Sequence, residues 1–290
     1  MDDACSMLLG AMQRSIRETL GEPNGGCNPV GVAFSGGVDS TLLAVVCDAM
    51  GYDTVLLTVG FAHSHDAGFA ARVASRLPMP HYTLAITDVQ AFAARYDMVR
   101  KAVPCNNLSW VENSVAFYYI SSLARDLRVD AVATANGIDE LFCGYDAYRR
   151  AYVGGAGPPH DGGGNDDAMC GLMRQKLQNE LDMMSDAVGV VASALGVTLL
   201  QPLLRGVFSD AAYRIPLYEK ITGPDDMRRK HIIRRLAREV GVPHMSCEKR
   251  KKALQYGSGI HKAVLRIRRC PAAHAHLPPP SSCPPRAPRP

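Results

Sequence analysis

Short apolar runs alternate with longer amphipathic stretches along most of this chain. Each run is followed by a stretch with helical periodicity, and the runs that predict buried strands lie at residues 30–34, 53–59, 81–86 and 129–135. Strands that alternate with helices indicate a parallel sheet, because a crossover must return the chain before the next strand can run in the same direction. The pattern therefore predicts an α/β fold, with a parallel sheet and helices on both faces.

Changes in composition divide the chain into five predicted segments. They are an N-terminal helix with a linker at residues 1–29, the α/β core at 30–152 and a flexible loop at 153–167. A mostly helical C-terminal part follows at 168–269, and a disordered or extended proline-rich tail at 270–290. The loop prediction rests on Gly, Pro, His and Asp content, and the tail prediction on prolines without apolar periodicity. We expect the helical part to pack as a lobe over the carboxyl edge of the sheet.

Composition narrows the class of protein. The chain has 290 residues, of which 47% are hydrophobic, so it can bury a substantial core. Its formal net charge of +4 is too small to argue by itself for a nucleic-acid partner. Its nine cysteines contain no C-x-x-C pair, which favours reduced thiols in the cytoplasm over a disulfide framework or a zinc finger. No apolar stretch is long enough to span a bilayer, and the acidic N-terminus does not predict a secretion signal.

The sequence Ser-Gly-Gly-Val-Asp-Ser at residues 35–40 stands between the first strand and a helical run. Glycines at the end of a buried strand let the backbone approach a ligand closely, and the amides and dipole of the following helix attract an anion. Asp39 alone would repel a phosphate, so its position makes sense if it holds Mg²⁺ between itself and a nucleotide. The loop is not a Walker A motif, since no Gly-Lys-Ser/Thr follows. The alternative is a simple glycine turn in which Asp39 caps a helix.

A second motif follows the fourth strand at residues 136–145 and reads Asn-Gly-Ile-Asp-Glu-Leu-Phe-Cys-Gly-Tyr. It places Asp139 and Glu140 at the start of a helix on the same edge of the sheet as Asp39, where ligands of open α/β sheets bind. Acidic residues from the two loops would then share a metal ion at a nucleotide. Taken alone, an Asp-Glu pair at a helix start only compensates the helix dipole.

The two motifs and their spacing resemble the synthetase domain of the asparagine synthetases and their β-lactam-forming relatives. Further matches to that family lie at Val59-Gly60-Phe61, Leu195-Gly196-Val197, Pro202-Leu203-Leu204, residues 230–234 and residues 250–258. The resemblance implies an adenine nucleotide α-hydrolase-like fold, whose parallel sheet is of the five-stranded type, with ATP and Mg²⁺ as cofactors. It also implies a reaction in which a substrate carboxylate attacks the α phosphorus of ATP, pyrophosphate leaves, and ammonia opens the acyl-adenylate.

The same resemblance assigns roles to individual residues. Pyrophosphate and metal would be held by the first loop, with Asp139 as the second metal ligand, through Ser35, Gly36, Gly37, Val38, Asp39 and Ser40. Backbone groups that border the adenosine would come from Leu57, Val59 and Gly137. Charge on the leaving pyrophosphate would be neutralised by Lys230 and by Lys251 or Lys252, because a fixed cation lowers the barrier most at that step. A solvated basic surface is the alternative for these lysines.

Departures from the family pattern concern the step in which ammonia opens the acyl-adenylate. The family reads Ser-Gly-Glu-Gly, with a glutamate that helps to deprotonate the incoming nitrogen, whereas this chain has Asn136 at that catalytic position. Asparagine cannot accept a proton near neutral pH. We expect no N-terminal glutaminase domain, because Asp2 stands where such a domain would have its catalytic cysteine. The expected partners are a small-molecule carboxylate, most simply aspartate, and ammonia that comes free or from a separate glutaminase subunit.

Two other classes of function stay open. One is an ATP-splitting relative that modifies tRNA, for which basic residues within 228–235 and 249–252 would contact phosphates. The missing C-x-x-C pairs weaken a thiolase version of that hypothesis, and nucleic acid is not the expected partner. The other class is a nucleotide-binding regulatory relative without ligase activity, which the asparagine at position 136 suggests.

Two local features receive structural interpretations. Asp66 is expected to cap a helix beside the exposed histidines at positions 63 and 65. Trp110, Tyr118 and Tyr119 lie on a helical pattern and are expected to be core residues rather than a stacking platform.

Overall fold

A five-stranded parallel sheet runs through the centre of the protein. The computed structural model describes residues 1–23, 29–62, 64–152, 164–204, 206–250 and 253–269. The strands are β1 Val30–Ala33, β2 Thr54–Phe61, β3 His81–Ile86, β4 Ala131–Ala133 and β5 Thr198–Leu200. Their order is β3-β2-β1-β4-β5, and every neighbouring pair is parallel. The predicted α/β class and the parallel sheet are confirmed.

Helices surround the sheet and form the C-terminal part. They are α1 Asp3–Leu20, α2 Val38–Ala49, α3 His65–Ala74, α4 Val89–Ala102, α5 Leu108–Asp126, α6 Ile138–Leu141, α7 Asp146–Ala151, α8 Gly164–Met183, α9 Gly189–Ala194, α10 Val207–Arg214, α11 His231–Glu239, α12 His244–Glu248, α13 Leu254–Gly257 and α14 Ile260–Arg269. A π-helical turn at Met184–Val188 joins α8 to α9, and a 3₁₀ turn lies at Leu217–Glu219. Within the described residues, none of these helices combines the length and apolar composition that a membrane span requires.

The connections place a crevice at the middle of the sheet. The chain passes from β1 through α2 to β2 and through α3 to β3, then returns through α4 and α5 to β4 on the other side of β1. Because such crossovers are right-handed, α2 and α3 cover one face of the sheet and α5 covers the other. The direction of the connections reverses between β1 and β4, so the crevice opens between their carboxyl ends.

Burial on both faces explains the strand sequences. In β2, every residue from Thr54 to Gly60 is buried, and only Phe61 is partly exposed. A continuous apolar strand of this kind is typical of a parallel sheet that helices cover on both sides. Its partner β1 pairs Val30 with Thr54 on one side and with Ala131 on the other. Asp2 caps α1 by accepting a hydrogen bond from the Cys5 amide at 2.7 Å, so this helix begins where the sequence predicts it.

Other boundaries differ from the expectations. The fifth strand lies within a segment that reads as mostly helical, and its three half-exposed or exposed residues give no alternating pattern that the sequence would reveal. Helix α8 begins at Gly164, inside the expected loop, so residues 164–167 are helical. The rest of that loop, the linker at 24–28 and the tail at 270–290 lie outside the described residues.

The expected helix-capping role of Asp66 is wrong. Ser64 is the N-cap of α3, and its hydroxyl accepts a hydrogen bond from the Ala67 amide at 3.4 Å. Asp66 lies two residues further on and is only 3% exposed, because its carboxylate turns inward to Lys249 Nζ at 3.0 Å. The neighbouring His65 is largely exposed, as expected.

Candidate active site

A cavity of about 320 Å³ opens at the carboxyl edge of the sheet. One part is lined by the first loop and by β2, through Ser35, Asp39, Ser40, Leu57 and Val59. The second motif contributes Asn136, Asp139, Glu140 and Tyr145. The rest is lined by α5 and α8, including Trp110, Asn113, Lys176 and Glu180. The fold therefore brings half of the predicted site residues to one cavity, and it adds polar side chains from α8 that the motifs did not indicate.

The loop at residues 35–40 has the geometry expected of an anion-binding turn. Gly36 has φ +69°, and a Cβ there would lie 3.0 Å from Ala70 Cα, so the turn and its contact with α3 both require glycine. The Ser40 hydroxyl accepts a hydrogen bond from the Ser35 amide at 3.2 Å. Helix α2 begins at Val38, and no side chain caps its first turn. Its amide groups can therefore bind an anion together with the helix dipole.

The second motif forms a turn held by Glu140. Its Oε2 accepts a hydrogen bond from the Gly137 amide at 2.8 Å, and its Oε1 accepts one from the Tyr145 hydroxyl. This places Asp139 in the cavity at the start of α6. Gly137 packs against the Leu203 backbone and is not among the described residues that line the cavity. Its predicted contact with adenosine stays a prediction.

Lys230 joins the two acidic loops. Its ammonium lies 2.5 Å from Asp39 Oδ2 and 2.6 Å from Asp139 Oδ1, and the residue is 2% exposed. Gly144 backs this cluster, because a Cβ there would overlap Asp139 Oδ1 and lie 2.6 Å from Lys230 Cε. The spacing of the two motifs thus has a structural meaning, because two carboxylates a hundred positions apart meet at one buried cation.

The carboxylates of Asp39 and Asp139 fit a Mg²⁺ ion. Asp39 Oδ1 is buried and has no hydrogen-bond partner among the described residues, and carboxylate oxygens are the ligands that Mg²⁺ prefers. The described part of the chain contains no cluster of three metal-ligating side chains. Mg²⁺ is usually bound by one or two carboxylates with substrate phosphates and water, which is what two loops beside an anion-binding turn provide.

A tight turn before α11 places Lys230 in this buried position. Asp226 Oδ1 accepts hydrogen bonds from the amides of Arg228 and Arg229, both at 2.9 Å, and its Oδ2 lies 2.6 Å from His231 Nε2. Lys230 itself has φ +56°, a left-handed conformation that costs energy for a residue with a side chain. The Asp226 carboxylate thus compensates for strain in the turn that directs Lys230 towards the two aspartates.

We expect the substitution Asp226→Asn to lower the free energy of unfolding by about 2 kcal/mol at neutral pH. Burial would raise the pKa of Asp226, but hydrogen bonds from the backbone of Arg229 and Thr222 and from His231 outweigh it and lower the pKa to about 2. Because the folded pKa lies below the ordinary 3.8, this stabilisation is present above pH 4 and is lost as the pH falls through about 2. Denaturant unfolding at a series of pH values measures the difference between variant and wild type, which should narrow as the pH is lowered.

The exposed neighbour Asp225 provides the control for that experiment. The substitution Asp225→Asn removes the same charge from the same turn and should change the free energy of unfolding by less than about 0.5 kcal/mol. If both variants lost the same free energy of unfolding, a negative charge anywhere in the turn, and not the hydrogen bonds of Asp226, would be what stabilises it.

Lys249 is a site residue that the motifs did not single out. Its Nζ donates a hydrogen bond to the Ser35 carbonyl at 3.1 Å, pairs with Asp66 and lies 4.2 Å from the centre of the Phe69 ring. It therefore ties the loop at residues 35–40 to α3. The signal in the sequence was only a run of basic residues at 249–252, of which Lys251 and Lys252 lie outside the described residues.

Arg234 connects the segments that carry the two lysines. Its guanidinium is buried and donates to the carbonyls of Arg228 and Arg229 at 2.9 Å and to that of Lys249 at 3.3 Å. Burial lowers the pKa of Arg234. Arg234 therefore links the turn that precedes Lys230 to the backbone at Lys249.

The basic residues suggested for contacts with tRNA are mostly engaged inside the protein. Arg229 is 5% exposed and pairs with Asp146 at 2.6 Å. Arg235 pairs with Asp2 and Glu219, while Arg228 pairs with Glu248. Arg229, Lys230 and Arg234 are buried and therefore cannot contact a phosphate backbone at the surface, whereas Arg228 and Arg250 are exposed.

Asn136 lies in the cavity beside a carboxylate that the sequence did not indicate. Its Nδ2 donates a hydrogen bond to Glu180 Oε1 of α8 and lies 3.6 Å from Met184 Sδ. Of the aromatic residues expected in the core, Tyr118 is buried and Tyr119 packs against the apolar core, whereas Trp110 packs partly against it and also lines the cavity.

Comparison with known proteins places these features in a family. The model of the asparagine synthase family matches residues 26–189. A protein of Methanocaldococcus jannaschii, provisionally named asparagine synthetase 1 (glutamine-hydrolyzing), is 24% identical over 297 residues, which cover 88% of this chain and 50% of that protein. The tRNA-specific 2-thiouridylase MnmA of Rhodopseudomonas palustris is 32% identical over 147 residues, which cover 41% of this chain and 36% of that enzyme.

These matches span half or less of the relatives' own length. A solved structure of NMN synthetase from Francisella tularensis aligns over 97% of this chain and 98% of its own, at 14% identity and a TM-score of 0.44, which is too low a similarity to bear on function. The family match covers more than half of the chain and includes both acidic motifs and Glu180. The chain therefore belongs to the asparagine synthase family.

Proposed function

We propose that this protein is an ATP-dependent ligase that forms an amide. It adenylates a carboxylate, most simply that of aspartate, with release of pyrophosphate, and then transfers ammonia to the acyl group with release of AMP. The observation that carries the proposal is the meeting of Asp39 and Asp139 at Lys230, at the edge of a cavity lined by the anion-binding loop. Free thiols at the six described cysteines support a cytoplasmic location.

In this proposal the first loop and α2 bind the phosphates of ATP. Backbone amides of Gly36, Gly37 and Val38 and the hydroxyls of Ser35 and Ser40 would contact phosphate oxygens, and Leu57 and Val59 would border the adenosine. Mg²⁺, held by Asp39 and Asp139, would neutralise phosphate charge. Lys230, and Lys251 or Lys252, would stabilise the charge that develops on pyrophosphate as it leaves.

The other part of the cavity would bind the acceptor. The side chains of α5 and α8 provide amides, an aromatic ring and both signs of charge, through Asn113, Trp110, Lys176 and Glu180. A polar acceptor bound there would have its carboxylate directed towards the phosphate loop. Nitrogen would enter as free ammonia or from a glutaminase subunit.

ATP–pyrophosphate exchange tests this function directly. The purified protein is incubated with ATP, Mg²⁺ and labelled pyrophosphate against a panel of amino acids and simple carboxylates, and the products are then analysed with and without ammonium. We expect exchange with one class of acceptor, and AMP with an amide when ammonium is added. Release of ADP and phosphate would contradict the proposal, because it places the cleavage at a different phosphorus.

Modification of tRNA is the second candidate function, and the 32% identity to a tRNA thiouridylase over 147 residues is the observation that favours it. The burial of Arg229, Lys230 and Arg234 argues against it. Salt-sensitive binding of tRNA, with adenylation that requires tRNA and no carboxylate, would establish this alternative. Binding of ATP without turnover of any acceptor would instead favour a regulatory relative.

A further inference from the structure

A buried hydrogen-bonded pair joins α5 to α14. Glu112 of α5 is 2% exposed, and its Oε1 and Oε2 lie 2.8 and 3.1 Å from Nδ1 of His261 on α14. An ionised carboxylate only accepts hydrogen bonds, so Nδ1 of the histidine donates. Burial raises the pKa of Glu112, whereas the contact with His261 and the charge of Arg268 oppose that rise. The imidazole therefore compensates for the burial of this carboxylate and fixes the start of α14 against α5.

The helix before α14 forms one wall of the cavity. Ala253, Leu254 and Gln255 line the cavity, and α13 begins at Leu254. The Gln255 side chain is buried, and its Nε2 donates a hydrogen bond to Ser109 Oγ at 3.2 Å. Ser109 also lines the cavity and lies three positions before Glu112 on α5. Helix α5 therefore holds the segment of α13 and α14 at two points, one at the wall of the cavity and one outside it.

The turn between α13 and α14 lies at the end of β2. The Ser258 carbonyl accepts a hydrogen bond from the Phe61 amide at 2.9 Å, and Phe61 is the last residue of this strand. Leu57 and Val59 of the same strand line the cavity, and in the proposed function they border the adenosine. The wall formed by α13 is therefore next to the expected position of the nucleotide.

His261 connects this wall to Glu112. The centre of its ring lies 4.6 Å from that of Tyr256 in α13, so the same imidazole contacts α13 and the carboxylate of α5. The buried side chains of α14 are apolar, namely Ile260, Ala263, Val264 and Ile267. Apolar contacts are not directional, whereas a hydrogen bond requires a narrow range of distance and angle. The pair therefore defines where α13 lies more closely than the apolar contacts do.

We propose, on the basis of the nucleotide binding in the function above, that Glu112 and His261 are positioning residues for ATP. Neither side chain is among the described residues that line the cavity, so the pair acts through α13 and Gln255. With the pair formed, the wall is in place before ATP arrives, and binding does not have to order it. Without the pair, ordering the wall uses part of the binding free energy, so the affinity for ATP falls.

Substitutions at the pair separate its effect on position from its effect on stability. Glu112→Leu combined with His261→Leu replaces the pair by apolar side chains, and such replacements of buried charged pairs are often neutral for stability. We expect the melting temperature to stay within about 3 °C of wild type. The Kd for ATP with Mg²⁺ should rise at least about tenfold, because the wall is no longer ordered in advance. The variant His261→Gln, whose amide can still donate to Glu112, should keep this Kd within about threefold of wild type.

Tryptophan fluorescence measures this binding without any turnover. Trp110 is the only tryptophan of the chain and lines the cavity, so its emission should change when ATP enters. Exchange measured at saturating ATP should stay within about threefold of wild type in both variants, because bound nucleotide restores the ordered wall. The control is His244→Leu, which makes the same substitution at a largely exposed histidine of α12 and should leave the Kd and the melting temperature unchanged.

The outcomes distinguish this inference from the proposed function. A wild-type protein that binds no ATP would refute both. Binding of ATP by the wild type without exchange against any acceptor would refute the ligase function alone, and the Kd values of the variants would still decide the inference.

Three results would refute the inference alone. A double leucine variant that binds ATP as tightly as wild type would show that the pair only compensates for burial. A double leucine variant that melts far below wild type would show that the pair stabilises the fold as a whole. If His261→Gln raised the Kd as far as the double variant does, the hydrogen bond to Glu112 would not be the cause of the tighter binding.

Discussion

Replacing Asp39 by asparagine is expected to lower ATP–pyrophosphate exchange at least about a hundredfold while the protein stays folded. The asparagine side chain has the same shape, but it has no charge to hold Mg²⁺ and it presents an amide at one of its two oxygen positions. Removal of one preorganised electrostatic contact at a reacting centre typically costs a factor of about 10² to 10³. Exchange measured at saturating ATP, together with the Kd for ATP at several Mg²⁺ concentrations, gives the effect on chemistry and on binding.

The exposed Asp48 on the same helix provides the matched control. The substitution Asp48→Asn removes an equal charge from the last part of α2, away from the loop, and should leave exchange and ATP binding unchanged. If Asp39→Asn retained exchange within about fivefold of wild type, the carboxylate would serve only to pair with Lys230, and the assignment of Asp39 to metal would fail.

The parts of the site that the sequence predicted are those whose signal is local. Residues 35–40 and 136–145 each combine a buried strand, a turn and a helix start within about ten positions, and parallel strands bring their carboxyl ends to one edge. From this information alone, Asp39 and Asp139 are expected to lie near each other. The structure agrees, and it shows that Lys230 Nζ contacts both carboxylates.

Burial of Lys230 could not be read from its own segment. A Lys-x-x-x-Arg spacing on a helix is common on exposed faces, whereas both Lys230 and Arg234 are buried here. The cause is tertiary: the two carboxylates that the Lys230 ammonium contacts, Asp39 and Asp139, come from loops far from Lys230 in the sequence. Patterns that describe one helix at a time do not contain this information.

Glu180 and β5 escaped prediction for different reasons. Glu180 has no motif around it, and its partner Asn136 lies 44 positions away. Strand β5 has three residues, none of them fully buried, so neither its length nor its pattern distinguishes it from a loop. The strand exists because the edge of β4 offers unpaired backbone groups, and Thr198 to Leu200 pair with Ala131 to Ala133.

Replacing Lys230 by methionine is expected to lower the free energy of unfolding by about 3 to 5 kcal/mol. Methionine fills similar space but removes the positive charge that contacts Asp39 Oδ2 at 2.5 Å and Asp139 Oδ1 at 2.6 Å. Two carboxylates would then lie close together in a buried site without this cation, and such a loss is a large part of the stability of a typical domain. Denaturant unfolding monitored by circular dichroism measures it, and Lys262→Met on the exposed surface of α14 is the control.

Addition of Mg²⁺ to the Lys230→Met variant tests whether the two carboxylates bind this cation. A divalent cation that binds the folded protein and not the unfolded chain stabilises it by mass action. In the variant, the Lys230 ammonium no longer competes with Mg²⁺ for the carboxylates of Asp39 and Asp139. Millimolar Mg²⁺ should therefore raise the melting temperature of the variant more than that of wild type. An equal response of both proteins to Mg²⁺ would show that the cation does not bind between these carboxylates. A loss of stability below about 1 kcal/mol would show that Asp39 and Asp139 do not depend on Lys230, and the buried cluster would then have no role in holding the two loops together.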